Sequence, residues 1–148
     1  MIALLVSIAL VCLVPAVLRR VPPGHVQVVH RRGRSRLLEP GLHLLWPGLY
    51  RAGHRIDLTG QILQFQDALG DARGVRGRVY WQVLEPERVD PVIEQAAQLI
   101  RNSALEALHR EPAPEPDQRA LGSRLKRVLN GVLRERGLMV TRVELELA

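Results

Sequence analysis

The chain opens on eighteen uncharged, mostly apolar positions, 1–18, that run straight into Arg19 and Arg20. An uncharged apolar run of about 18 residues reads as a membrane-spanning helix. At about 1.5 Å per residue it reaches roughly 27 Å, so snorkelling arginines or a thinned bilayer must close the gap to a hydrocarbon core of about 30 Å. A secretory signal peptide is the rival reading. It needs a positive stretch before the run and small residues at a cleavage site, and this chain offers neither. The pattern predicts a transmembrane anchor over 1–18.

Beyond the anchor the period shortens, and the stretch 21–83 reads mostly as β. Val26 and Val28 alternate with His25 and Gln27, and Ile56 and Leu58 flank Asp57. A short apolar run at 42–46 is stopped by Pro47 and Gly48. The cleanest strand is 75–83: Val75, Val79, Trp81 and Val83 point one way, Arg76, Arg78 and Gln82 the other. Gly70 and Asp71 suit the turn before it.

After Glu85 and Pro86 the period becomes helical. Val89, Val92, Ile93, Ala96, Leu99, Ile100, Ala104, Ala107 and Leu108 form one stripe, with Asp90 as its expected cap and Pro91 as its first helical residue. The proline-rich stretch 111–116 cannot continue a helix and reads as a linker. A second helix starts at the cap Asp117, with a stripe of Leu121, Leu125, Val128, Leu129, Val132 and Leu133, and ends at Gly137. Gly122 and Gly131 each cost it about 1 kcal/mol relative to Ala. Val143, Leu145 and Leu147 alternate with Glu144 and Glu146 in a closing strand. The predicted fold is α+β: a transmembrane helix at 1–18, then one domain over 19–148. That domain has a β-rich, membrane-proximal lobe at 19–86 and an α/β lobe at 87–148, the element order being strand, helix, helix, strand.

Charge sharpens this picture. Eight arginines and two acids lie between residues 19 and 58, and they carry the whole formal net charge of +6; elsewhere acids and bases balance. Arginine excess beside an apolar anchor favours the cytoplasmic side and anionic headgroups. A pI near 10.9 also fits nucleic acid, but the arginines lack the interleaved aromatics of a base-stacking platform. The single Cys12 follows Val11, unlike a lipidation signal, and reads as apolar filler.

No catalytic constellation emerges. The histidines at 25, 30, 43, 54 and 109 lack the i, i+4 spacing of a helical metal site, and no cysteine cluster accompanies them. No serine sits in a nucleophile elbow and no phosphate-cradling glycine loop is present. The chain reads as a non-enzyme, with no catalytic residue, metal or cofactor.

The motifs in their order resemble a known family. Val21-Pro-Pro-Gly24-His-Val-Gln-Val-Val-His-Arg-Arg-Gly, then Glu39-Pro40-Gly41-Leu42-His43, Trp46-Pro47 and Arg55-Ile-Asp57-Leu, are similar to the opening of an SPFH (stomatin, prohibitin, flotillin; band 7) domain. Val79-Tyr-Trp-Gln-Val-Leu-Glu-Pro and Gly137-Leu-Met-Val-Thr-Arg-Val-Glu-Leu resemble its central and closing strands. The resemblance gives Gly24, Glu39, Pro40, Gly41, Leu42, His43, Pro47 and Asp57 structural roles. It implies a short, bacterial-type member without the long coiled coil that usually follows.

Together these readings predict a single-pass scaffold in the cell (inner) membrane, its domain cytoplasmic, that oligomerises and organises lipids or membrane proteins. A regulatory subunit of a membrane-bound protease complex is the alternative, and a nucleic-acid-binding basic protein a distant one. Lipid contact is assigned to Arg19, Arg20, Arg31, Arg32, Arg34, Arg36, Trp46 and Tyr50, the two aromatics suiting either a headgroup boundary or a half-buried core position. Oligomer contact is assigned to Val143 and Leu145 on an open strand edge. The expected partners are membrane lipids, either further copies of the chain or a longer relative, and a membrane protease or other membrane protein as a third, with no nucleic acid.

Overall fold

A computed structural model describes residues 2–69, 73–110 and 117–147. The turn expected at Gly70 and Asp71 and the proline-rich linker 111–116 lie outside the described residues. The chain is α+β and divides into two compact units, Met1–Asp57 and Leu58–Ala148. The second unit begins at Leu58 because the strands that follow share one sheet with the chain's last strand.

The first unit begins with helix α1, Ile2–Val17, in which Pro15 sits in the last turn. The next residues form strand β1, Leu18–Val21, antiparallel to β4, Gly41–Leu44, with Leu18 opposite Leu44 and Val21 opposite Gly41. The Val17 carbonyl accepts from Leu45 N–H at 2.8 Å, tying the helix end to the ribbon. This pairing overturns the expected span. Leu18 and the arginines are taken into a sheet, so the helix has 16 residues, about 24 Å long. Among the described residues, no helix is long and apolar enough to cross a membrane. The single-pass anchor falls with it, as do the inner-membrane placement and the cytoplasmic topology argued from it.

The ribbon is followed by a sheet in the order β3-β2-β5, formed by β2, His25–Arg31, β3, Arg34–Leu38, and β5, Arg51–Asp57, all antiparallel. The entry to β2 is a turn in which His25 N–H donates to the Pro22 carbonyl. Gly24 at φ 77° occupies the third position, where a type II turn requires positive φ. The alternation expected at 25–28 does not hold. The register of β2 against β5 shifts between Gln27 and Val29, and Val26, Gln27, Val28 and Val29 are all buried. Gln27 meets its burial by donating to the Gly53 carbonyl at 3.4 Å. Val21, Val29 and Leu38 form a small core, with Leu45 and Tyr50 packed against it.

The second unit is a three-stranded antiparallel sheet, β6-β7-β8, formed by β6, Gln61–Leu69, β7, Arg73–Val83, and β8, Leu138–Leu147. The faces of β7 are those its alternation predicts: Val75, Val79, Trp81 and Val83 are buried, Arg76 and Arg78 exposed. Phe65 of β6 stands directly opposite Gly77, and its ring fills the space a Cβ would need. On the other face Arg78 reaches Glu144 and Glu146, and Tyr80 donates to Glu144 at 3.1 Å.

The connection runs through a short helix α2, Pro86–Val89, a 3₁₀ stretch Asp90–Gln95, then α3, Ala96–Arg110, and α4, Gln118–Leu133. Asp90 is therefore not a cap; it lies inside this continuous turn of chain and is buried. Asp117 does cap α4, accepting from Arg119 N–H at 2.9 Å. Gly137, at φ 78°, ends the helix in the left-handed region that suits glycine. The α4 core stripe is narrower than its periodicity suggests. Leu121, Leu125, Leu129 and Leu133 are buried while Val128 and Val132 are exposed. Gly122 is buried with them, because β8 runs so close that a Cβ there would sit 2.8 Å from the Val143 carbonyl oxygen.

The two glycines of α4 therefore respond oppositely to the same substitution. Gly131→Ala, with nothing within 4 Å of its Cβ position, is expected to raise stability by roughly 0.5–1 kcal/mol. Gly122→Ala forces helix and strand apart and is expected to lower it by about 1–3 kcal/mol. Urea unfolding of the two variants checks the opposite signs.

Candidate functional site

The residues singled out around the arginine-rich stretch divide between two features of the first unit. The first is the β2–β3 hairpin. Its turn places Arg32 at φ 49° and Gly33 at φ 78°, two consecutive positive values of the kind that tight hairpin turns use. Arg31 then stands directly opposite Arg34, and Arg36 opposite Val29, so Arg31, Arg34 and Arg36 share one face. All of them are exposed. Among the described residues none of Arg31, Arg32, Arg34 or Arg36 makes an ion pair with a carboxylate. Like charges directly opposite across a ladder are destabilising. The hairpin is thus a preformed cluster of guanidinium groups whose countercharge must come from outside it.

Tyr50 belongs to this cluster and to the core beneath it. Its ring packs against Val21, Val29 and Leu38, while Arg31 donates to its hydroxyl at 3.2 Å and lies 5.3 Å from its ring centroid. It is the half-buried alternative that applies to Tyr50, and it positions Arg31 through a hydrogen bond and a cation–π contact.

The second feature is the outer face of the β1–β4 ribbon. Leu18 and Arg20 share a face with their partners Leu44 and Leu42, and all four side chains point away from Val21 and its core. Leu42 is 66% exposed, Leu44 76% and the adjoining Trp46 56%. The ribbon continues directly from α1, whose residues from Ile2 to Ala16 are exposed throughout. Arg19 pairs with His43 on the opposite face of the ribbon.

The motif residues around the ribbon hold its turn. The His43 ring Nε2–H donates to the Glu39 carbonyl at 2.7 Å, bridging Pro40 and Gly41. Pro47 bridges to Tyr50 in the turn that follows Trp46. Asp57 closes β5 opposite His25.

The proposed oligomer contacts on β8 are placed less openly than their alternation suggests. Leu145 is buried and Val143 half-buried, both on the face that carries Val75 and Val79. The edge itself is engaged by α4. The Asn130 side-chain amide donates to the Val140 carbonyl at 2.9 Å and accepts from Val140 N–H at 2.8 Å, as a neighbouring strand would. No sequence signal marks Asn130 for this; it reads as an ordinary helix residue until the strand lies beside it. Among the described residues no group of three or more His, Cys, Asp or Glu side chains could hold a metal ion.

Neither a family model nor a curated protein matches this chain.

Replacing one of the opposed arginines should stabilise the hairpin. Arg34→Glu converts the Arg31–Arg34 juxtaposition into an opposite-charge cross-strand pair. It is expected to raise stability by roughly 0.2–1 kcal/mol, and high salt should shrink the gain. Thermal unfolding at two salt concentrations checks it; a destabilised variant would show that these guanidinium groups do not repel.

Proposed function

We propose that the chain is a non-enzymatic scaffold module, similar to SPFH domains, that associates with copies of itself and lays one face on anionic lipid headgroups without crossing the bilayer. The observation that carries the reading is the outward face of the β1–β4 ribbon, where Leu18, Leu42, Leu44 and Trp46 stand in solvent beside Arg20. Each such leucine gains roughly 1.5–3 kcal/mol when buried. A lipid surface suits the face better than a protein groove because its apolar side chains are bordered by an arginine and end in a tryptophan. That combination sits favourably at a headgroup boundary.

The arginine hairpin supports the same reading. Three guanidinium groups on one face, without carboxylate partners among the described residues, match phosphate-bearing headgroups in charge and in bidentate geometry. Each basic residue near an anionic leaflet contributes about 1 kcal/mol. Self-association is what the family resemblance implies, carried by the Glu39–His43 turn motif and by the order of strands and helices.

Tryptophan fluorescence separates the ribbon from the rest of the chain. Of the two tryptophans, Trp81 is buried and Trp46 exposed. Adding phosphatidylserine-containing vesicles to the full chain in dilute mild detergent is expected to blue-shift its emission, and Trp46→Phe to abolish the shift. Arg31→Gln, Arg34→Gln and Arg36→Gln together are expected to remove the preference for anionic over neutral vesicles. An unshifted Trp46 would overturn lipid contact by the ribbon. Cross-linking in detergent is expected to give ladders above the 16.6 kDa monomer; a strictly single-copy protein would overturn the scaffold reading.

A further inference from the structure

The second unit has two strand edges, and they are not equivalent. The β8 edge is occupied by its own chain: Asn130 takes both backbone groups of Val140, and the Val143 carbonyl lies against Gly122. At the other side of the sheet β6 has β7 as its one strand neighbour among the described residues. Native proteins blunt an exposed edge with lysine, proline, a bulge or a very short strand. β6 has nine residues in unbroken register with β7, and positions 61–66, Gln-Ile-Leu-Gln-Phe-Gln, contain no charge, proline or glycine. Ile62 is 58% exposed, and Gln64 and Gln66 are exposed on the same face.

We propose that the β6 edge is the self-association surface, pairing antiparallel with β6 of a second copy about a two-fold axis at Gln64. The inference rests on the self-association reading above and names the surface that carries it. A two-fold perpendicular to the sheet keeps each residue on its own face. The result is one six-stranded sheet, β8-β7-β6 continued by β6-β7-β8, with the helices of both copies on one side.

The second copy is the occupant because the strand complements itself in this register. Leu63 falls opposite Phe65 of the other copy on the helix-covered face. Gln64 meets Gln64, and Ile62 meets Gln66, on the polar face. Gln61 falls opposite Asp67, an amide against a carboxylate whose other neighbour is His109 of α3, at 3.8 Å. No like charges are juxtaposed, whereas centring the axis one residue further on would set Leu63 against Asp67. The hexapeptide is also of the uncharged, proline-free, β-favouring kind that pairs with its own copies. The rest of the polar face, with Arg76, Arg78, Glu144 and Glu146, is charged and engaged in its own ion pairs at Arg78, which leaves the edge as the neutral seam.

Cysteine cross-linking reads the register. Directly opposed residues of an antiparallel pair have Cα atoms about 4.5–5.5 Å apart, within disulfide reach. In the full chain carrying Cys12→Ser, Gln64→Cys is expected to form a disulfide dimer with itself under a mild oxidant. Ile62→Cys is expected not to link to itself but to link to a copy carrying Gln66→Cys. All three positions are exposed, and circular dichroism checks that each variant keeps its fold. If the unsubstituted chain forms oligomers but Gln64→Cys gives no dimer, or Ile62→Cys links to itself as readily, the β6 register is wrong and the scaffold reading stands. A chain that is single-copy under all conditions overturns both.

Discussion

A β-strand presents its side chains alternately to two faces, and the second unit depends on how β7 obeys that constraint. Flanked on both edges, β7 must satisfy helices above and water below at once. Val75, Val79, Trp81 and Val83 meet the first demand, and Arg76 and Arg78 the second. A slip of one residue would exchange the faces and bury the arginines. Gly77 is the one inward position without a side chain, and Phe65 from the adjacent strand fills it. The ladder thereby fixes which face α3 and α4 cover, and so which edges of the sheet remain for other uses.

The fold treats those edges unequally. Helix α4 lies close enough to β8 for Gly122 to touch its backbone and for Asn130 to satisfy Val140. This closes an edge with a side chain rather than a strand. In the same sheet β6 has β7 as its one strand neighbour among the described residues. In the first unit the asymmetry is between faces: the ribbon turns Val21 into a core and its leucines into solvent, and the hairpin sets Arg31 against Arg34. Each arrangement costs stability in an isolated chain. Places where local rules are broken without internal compensation are where function is expected to reside, and here they are the ribbon face, the arginine hairpin and the β6 edge.

Much of the local structure is legible in the residues themselves. The faces of β7, the cap at Asp117, the stop at Gly137 and the buried leucines of α4 all follow from period and capping chemistry. These are decided within about four residues, by side chains that meet their own backbone neighbours. The concentration of arginine between residues 19 and 58 is likewise a property of sequence alone. Its consequence is not. That Arg31 faces Arg34, and that Tyr50 holds Arg31, depends on a hairpin turn and a core assembled from three strands.

What the tertiary structure alone decided is where pairing overrides local preference. The apolar run favours helix through residue 18, yet α1 stops at Val17 because Leu18–Val21 finds a partner twenty or more residues away in Gly41–Leu44. β6 shows no clean alternation, having apolar residues at both 62 and 63, and becomes a strand by pairing with β7. Gly122 is a flaw by helix propensity and a requirement once β8 lies against it. Period, caps and charge are short-range and can be read along the chain. Strand partners, covered edges and close backbone approaches are set by residues far apart in sequence, and their energies exist only when the chain has brought them together.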